Sequence, residues 1–170
     1  MRNRSGHSWL GMLAAAALAL QAAAGVAAEP EPADAVKVES VEVALSSVGP
    51  VVLLKAEAKA IPVFVDQTVA ESIHAALTRR ALPRPLSHDL MRTILQSYGG
   101  KVTQVVVSLK GATYYGALSV DLGGTRKVFD ARASDAIALA IHFSAPILVS
   151  RELLEQAGTA LGDPPGQRRL

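Results

Sequence analysis

The sequence predicts a single α+β domain, a mixed sheet with helices, and three observations carry that prediction. Residues 36–43 alternate apolar and polar side chains at period two, the pattern of a half-buried strand. Two stretches, after Asp66 and after Ser87, place apolar residues at helical spacing behind a capping residue. Three strand-like runs, 102–109, 114–120 and 126–129, are separated by Lys110-Gly111 and Gly123-Gly124, both hairpin signals. A chain of 170 residues with no internal repeat fits one such domain.

The first 28 residues read as an address. Arg2 and Arg4 form a basic start, an uncharged Ala-rich run extends from Trp9 to Ala28, and Val26-Ala27-Ala28 supplies small residues for cleavage before Glu29. Gln21 and Gly25 interrupt the run, which argues against a membrane span. The expectation is export, to the periplasm, with no stable membrane span after cleavage. Residues 29–35, with two prolines and three acids, form a linker. The domain follows over 36–157, and Gly, Pro and Arg from Gly158 onward predict a flexible C-terminal tail over 158–170.

Within the domain, 51–55 is a second strand and 61–65 a third, entered through Pro62, which suits a strand start or edge. Asp66 stands where a helix N-cap belongs, followed by Val69, Ile73, Ala76 and Leu77 on one face and Arg79-Arg80 at the end. Pro83-Arg84-Pro85 forces an extended segment. Ser87 caps a second helix with Leu90, Ile94 and Leu95 on one face and Gly99-Gly100 as its stop. After the three hairpin strands come a short apolar helix (135–143), a strand (147–149) and a terminal helix (152–157).

Composition narrows the chemistry. There is no cysteine, hence no disulfide, thiolate ligand or Cys nucleophile. Aromatic residues are 4%, too few for base-stacking platforms. Beyond Ala28 fifteen basic residues balance fifteen acidic ones, but nine Lys/Arg between Arg79 and Arg132 face only Asp89, Asp121 and Asp130. That block suits an anion or nucleic-acid face, or else an ordinary solvated surface. P-loop, G-x-S-x-G, H-E-x-x-H and dinucleotide fingerprints are all missing.

Two polar clusters stand out: Arg84-Pro85-Leu86-Ser87-His88-Asp89-Leu90, and Asp130-Ala131-Arg132-Ala133-Ser134-Asp135 running into an Ala-rich helix. Each places an arginine before a helix start that carries a hydroxyl and a carboxylate. Free N–H groups and the positive end of the dipole make a helix start an anion site, and arginine adds a bidentate fork for phosphate. Simple capping by Ser87, Asp89, Ser134 and Asp135 explains the same residues. His74 and His142 read as surface or packing residues, and at least one ring of Tyr114-Tyr115 should pack.

The runs R-P-L-S-H-D-L and D-A-R-A-S-D-A-I-A-L-A, followed by the A-P-I-L-V strand, resemble the bifunctional nuclease domain family over roughly residues 51–157. The resemblance implies an α+β fold and DNase and RNase activity. Val69 stands where that family usually carries glutamate, and Ala133 where it commonly carries proline. If the domain hydrolyses phosphodiesters, His88, Asp89 and Asp135 are the expected catalytic residues. Arg84, Arg132 and Ser134 would then bind substrate, and Asp89, Asp130 and Asp135 would be oxygen ligands of Mg²⁺. Nucleic acid is the expected partner, and a homo-oligomer is compatible. The rival reading is a non-catalytic envelope domain that binds an anionic ligand or a protein partner.

Overall fold

The computed structural model describes residues 34–161, so the expected leader and the end of the tail lie outside the described residues. The chain runs β1 (Val36–Lys37), β2 (Ser40–Ser46), β3 (Gly49–Ala56), β4 (Lys59–Phe64), α1 (Gln67–Leu77) and α2 (Ser87–Ser97). It continues through β5 (Gly100–Lys110), β6 (Thr113–Leu122), β7 (Thr125–Arg132), α3 (Ala133–Phe143), β8 (Ile147–Val149), α4 (Arg151–Ala157) and β9 (Thr159–Ala160). The fold is α+β, built on two sheets. One has the order β1-β8-β5-β6-β7, mixed because β5 and β8 run parallel; the other is antiparallel, β2-β3-β4-β9.

The alternating run at 36–43 does not form one strand. It divides at Val38-Glu39, and the halves serve different sheets: β1 pairs with β8, β2 with β3. Period two survives the break, because alternation reports which face is buried and not which sheet is joined. Pro62 sits inside β4 opposite Leu53, away from the strand start. It is tolerated because β9 pairs only with Lys59 and Ala60, leaving an open edge beside the proline. Thr159 and Ala160, expected in the tail, are that short strand. Gly123 and Gly124 both have positive φ, as the β6–β7 hairpin turn requires.

The apolar core draws on both sheets and all four helices, with Leu54, Ile61, Ile73, Ile137, Leu153 and Leu154 at its centre. α3 is its pivot. Ala136, Ile137, Ala138, Leu139 and Ala140 are all buried, and the alanines let the helix approach α1 and the sheet closely. Gly116 on β6 makes that approach possible: a Cβ there would lie 2.5 Å from the Ala136 Cβ. Gly116→Ala is therefore expected to destabilise the domain by about 1–3 kcal/mol through overpacking. A wild-type urea midpoint for this variant would show that α3 can shift freely.

α2 departs from the expected orientation. Leu90 and Ile94 are exposed, and the face turned inward carries His88, Arg92 and Leu95, spaced i, i+4, i+7. A polar network at His88 fixes this rotation in place of the apolar stripe. The N-cap is Leu86, whose N–H donates to Asp89 Oδ2 at 3.1 Å; Ser87 is the first helical residue. On α1 the expected cap is correct: Asp66 Oδ1 accepts from the Val69 N–H at 2.9 Å.

Candidate active site

Five side chains from three helices lie in one row, Asp135–His88–Ser72–His142–Asp89, hydrogen-bonded from Asp135 as far as His142. His88 Nε2 lies 3.2 Å from Asp135 Oδ1, and His88 Nδ1 lies 3.2 Å from Ser72 Oγ. Ser72 Oγ is 2.9 Å from His142 Nε2, and His142 Nδ1 is 3.6 Å from Asp89 Oδ1. The two imidazoles are stacked, with centroids 6.3 Å apart and planes inclined by 23°. Ser72 is fully buried and His88 is 4% exposed, so water cannot replace these partners. Helical spacing makes the assembly possible: α1 turns Ser72 toward α3, and the start of α2 faces both Asp135 and His142.

Arg132 closes the outer end. Its Nε and a terminal nitrogen donate to Asp135 Oδ2 and Oδ1 at 2.6 and 3.0 Å, a bidentate fork across one helical turn. Burial works against the charge on Asp135, but the bonds from Arg132 and His88 outweigh it and hold the carboxyl below the ordinary range. Burial also pushes the His142 imidazole down; Asp89 opposes that effect, while His88 and Arg92 reinforce it. His142 is therefore neutral at neutral pH.

The inner end opens on a cavity of about 540 Å³ bordered by His142, Asp89, Arg79, Arg80 and Arg92. Arg80 is held loosely by Glu71 at 3.4 Å, and Arg79 and Arg92 make no ion pair among the described residues. Arg92 Nε is the one buried side-chain polar atom among the described residues without a partner. Such an atom is costly unless something fills its hydrogen bond. Arg79 has φ +54° at the position after the α1 C-cap. The Arg79 N–H donates to Ala76 O and the Arg80 N–H to Ala75 O, completing a helix stop that ordinarily ends on glycine. The left-handed conformation costs a residue with a Cβ about 1–2 kcal/mol, and a cation at a helix C-terminus returns about 0.3–1 kcal/mol. Arg79→Gly is thus expected to stabilise the domain by about 0.5–1 kcal/mol, read as a higher urea midpoint. A lower midpoint would show that no strain is stored there.

Several expected roles change. His88 is sealed between Ser72 and Asp135 and does not border the cavity; the histidine that does is His142, expected as a surface or packing residue. Arg132 is committed to Asp135. Arg84 is exposed and makes no ion pair among the described residues. Ser134 is half-buried in the first turn of α3 and stands outside the network. Asp89, Asp130 and Asp135 do not form one ligand set. Asp130 is exposed on β7, and two histidines and a serine separate the other two. Among the described residues no group of three or more His, Asp or Glu is placed to hold a metal ion. Ser72 carried no sequence signal, being one small polar residue in an apolar helix. His74 is exposed, as expected. Tyr114 packs on the core, where burial raises its hydroxyl pKa, and Lys110 lies over the Tyr115 ring at 5.2 Å.

Fold and site together define an α+β domain with a buried acid–imidazole network beside an arginine-lined cavity. The chain belongs to the bifunctional nuclease domain family, whose sequence model matches residues 51–162. Relatives include two proteins from strains of Mycobacterium tuberculosis, both named only as uncharacterized. Each is 35% identical over 107 residues, which is 61% of this chain and 62% of the relative.

Proposed function

We propose that the domain hydrolyses phosphodiester bonds of nucleic acid at the arginine-lined cavity, with His142 as general base. The observation that carries this reading is a neutral imidazole bordering a cavity where Arg79, Arg80 and Arg92 supply positive charge. The arginines would hold the phosphoryl oxygens and stabilise the charge that builds on them. His142 Nδ1 would take a proton from a water whose oxygen forms the new bond to phosphorus. The bond to the departing oxygen breaks, and that oxygen takes a proton from solvent. Magnesium ion would enter with the substrate phosphate, since it commonly binds through phosphates and waters.

The test is cleavage of single-stranded DNA and RNA by the purified protein, with Mg²⁺ and with chelator. Binding of an uncleavable strand should weaken with salt at a logarithmic slope of about −2 for three phosphate contacts. Each Arg→Ala change at 79, 80 or 92 should reduce that slope by about 0.7. Salt-dependent binding without cleavage under either condition would leave an anion-binding domain in place of an enzyme. An exported protein would act in the envelope and begin at Glu29; a protein that starts at Met1 and stays in the cytoplasm would overturn that location. Among the described residues no helix is long and apolar enough to cross a membrane.

A further inference from the structure

Ser72 has one hydroxyl proton and two ring nitrogens beside it, His88 Nδ1 at 3.2 Å and His142 Nε2 at 2.9 Å. A hydroxyl has one proton and two lone pairs, so once it donates to one ring it can bond the other only by accepting. The direction is set at the outer end of the chain. Asp135, ionised and gripped by Arg132, can only accept, so His88 Nε2 must carry the proton between it and Oδ1. When each ring carries one proton, His88 Nδ1 accepts from Ser72, and Ser72 accepts from His142 Nε2–H. That leaves His142 Nδ1 bare. No hydrogen bond spans the 3.6 Å between Nδ1 and Asp89 Oδ1.

We propose that Ser72 is a positioning residue that couples the tautomers of the two histidines, so that Asp135 and Arg132 fix which nitrogen of His142 is free at the cavity. Its catalytic meaning rests on the hydrolytic reading above, whereas the coupling itself does not. Asp135 and Arg132 do not border the cavity, yet they act on the ring that does. The groups facing His142 are Ser72 from α1 and His88, Asp89 and Arg92 from α2. Of these only Ser72 can pass the direction of a hydrogen bond from one ring to the other.

Long-range ¹H–¹⁵N NMR of the imidazoles in the purified protein at neutral pH tests this without any substrate. In the wild type both rings should be protonated at Nε2. In Asp135→Asn, Arg132 claims the amide oxygen and the amide nitrogen donates to His88 Nε2. The His88 proton then moves to Nδ1, Ser72 reverses, and the His142 proton moves to Nδ1, although nothing touching His142 has been altered. Adding Ser72→Ala should leave the His88 change and cancel the one at His142, while Ser72→Thr should preserve both. A wild-type His142 protonated at Nδ1, an unchanged His142 in Asp135→Asn, or a His142 that still inverts without the hydroxyl would each overturn the coupling. If Ser72→Ala does not fold, Asp135→Asn alone decides. An inactive protein with coupled tautomers would refute the hydrolytic reading and leave this one standing.

Discussion

Replacing His142 by glutamine is expected to lower the cleavage rate by about 10²–10⁴-fold, the range for loss of a general base. The same change should cost about 1–3 kcal/mol of stability, because it leaves the buried Ser72 hydroxyl with an imperfect partner. The two effects separate in one experiment. Cleavage is measured where urea titration shows the variant fully folded, and the rate at saturating substrate is compared with that of Arg92→Ala. The arginine variant should lose affinity as well as turnover, since it removes a phosphate contact, whereas His142→Gln should lose turnover with affinity retained. His88→Gln should fall between them, because His88 is sealed from the cavity and acts only through Ser72. A folded His142→Gln protein that turns over at the wild-type rate would reduce the whole network to a structural device.

Much of the fold was legible because its signals are local. Asp66 caps α1 through its own carboxylate, and Gly123-Gly124 makes the turn that its two glycines announce. What could not be read depends on distant partners. Whether residues 36–43 form one strand or two is decided by β8, which lies far along the chain and takes β1 away from the local β2–β3 hairpin. The exposure of Leu90 and Ile94 follows from the pull of His88 toward Ser72 and Asp135, and no periodicity encodes that. The two polar motifs do come together, with His88 and Asp135 meeting at 3.2 Å. How their side chains pair was not legible, because an arginine three residues from an aspartate on one helix start is as well placed to pair with it as to bind phosphate. Ser72 and His142 gave no warning at all: a serine and a histidine on apolar helices look like packing until the helices are side by side. The basic run from Arg79 was legible as charge, and folding gathers Arg79, Arg80 and Arg92 from it around one cavity.

Acidification is expected to destabilise the domain in two stages, with the first owed to His142. Its ordinary value is near 6.5, and burial lowers it in the folded protein. Below that ordinary value the unfolded chain therefore binds the proton more readily than the fold does. Stability rises with pH wherever the unfolded state holds more protons, so it should fall as pH drops below about 6.5, until the folded value is passed. Asp135 produces the second stage. Its folded value lies below the ordinary 3.8, so its contribution is complete above that value and is lost as pH falls through the lower folded one. Glu57, also lowered by its bonds with Arg151, adds to this acid stage, and removing Asp135 should weaken it without abolishing it. Urea midpoints measured from neutral pH down through the acid range would resolve both stages. His142→Gln should flatten the decline near pH 6 and leave the acid one, whereas Asp135→Asn should do the reverse. A first decline that persists at full size in His142→Gln would mean that some other group takes up the proton, and that His142 does not stay neutral through burial.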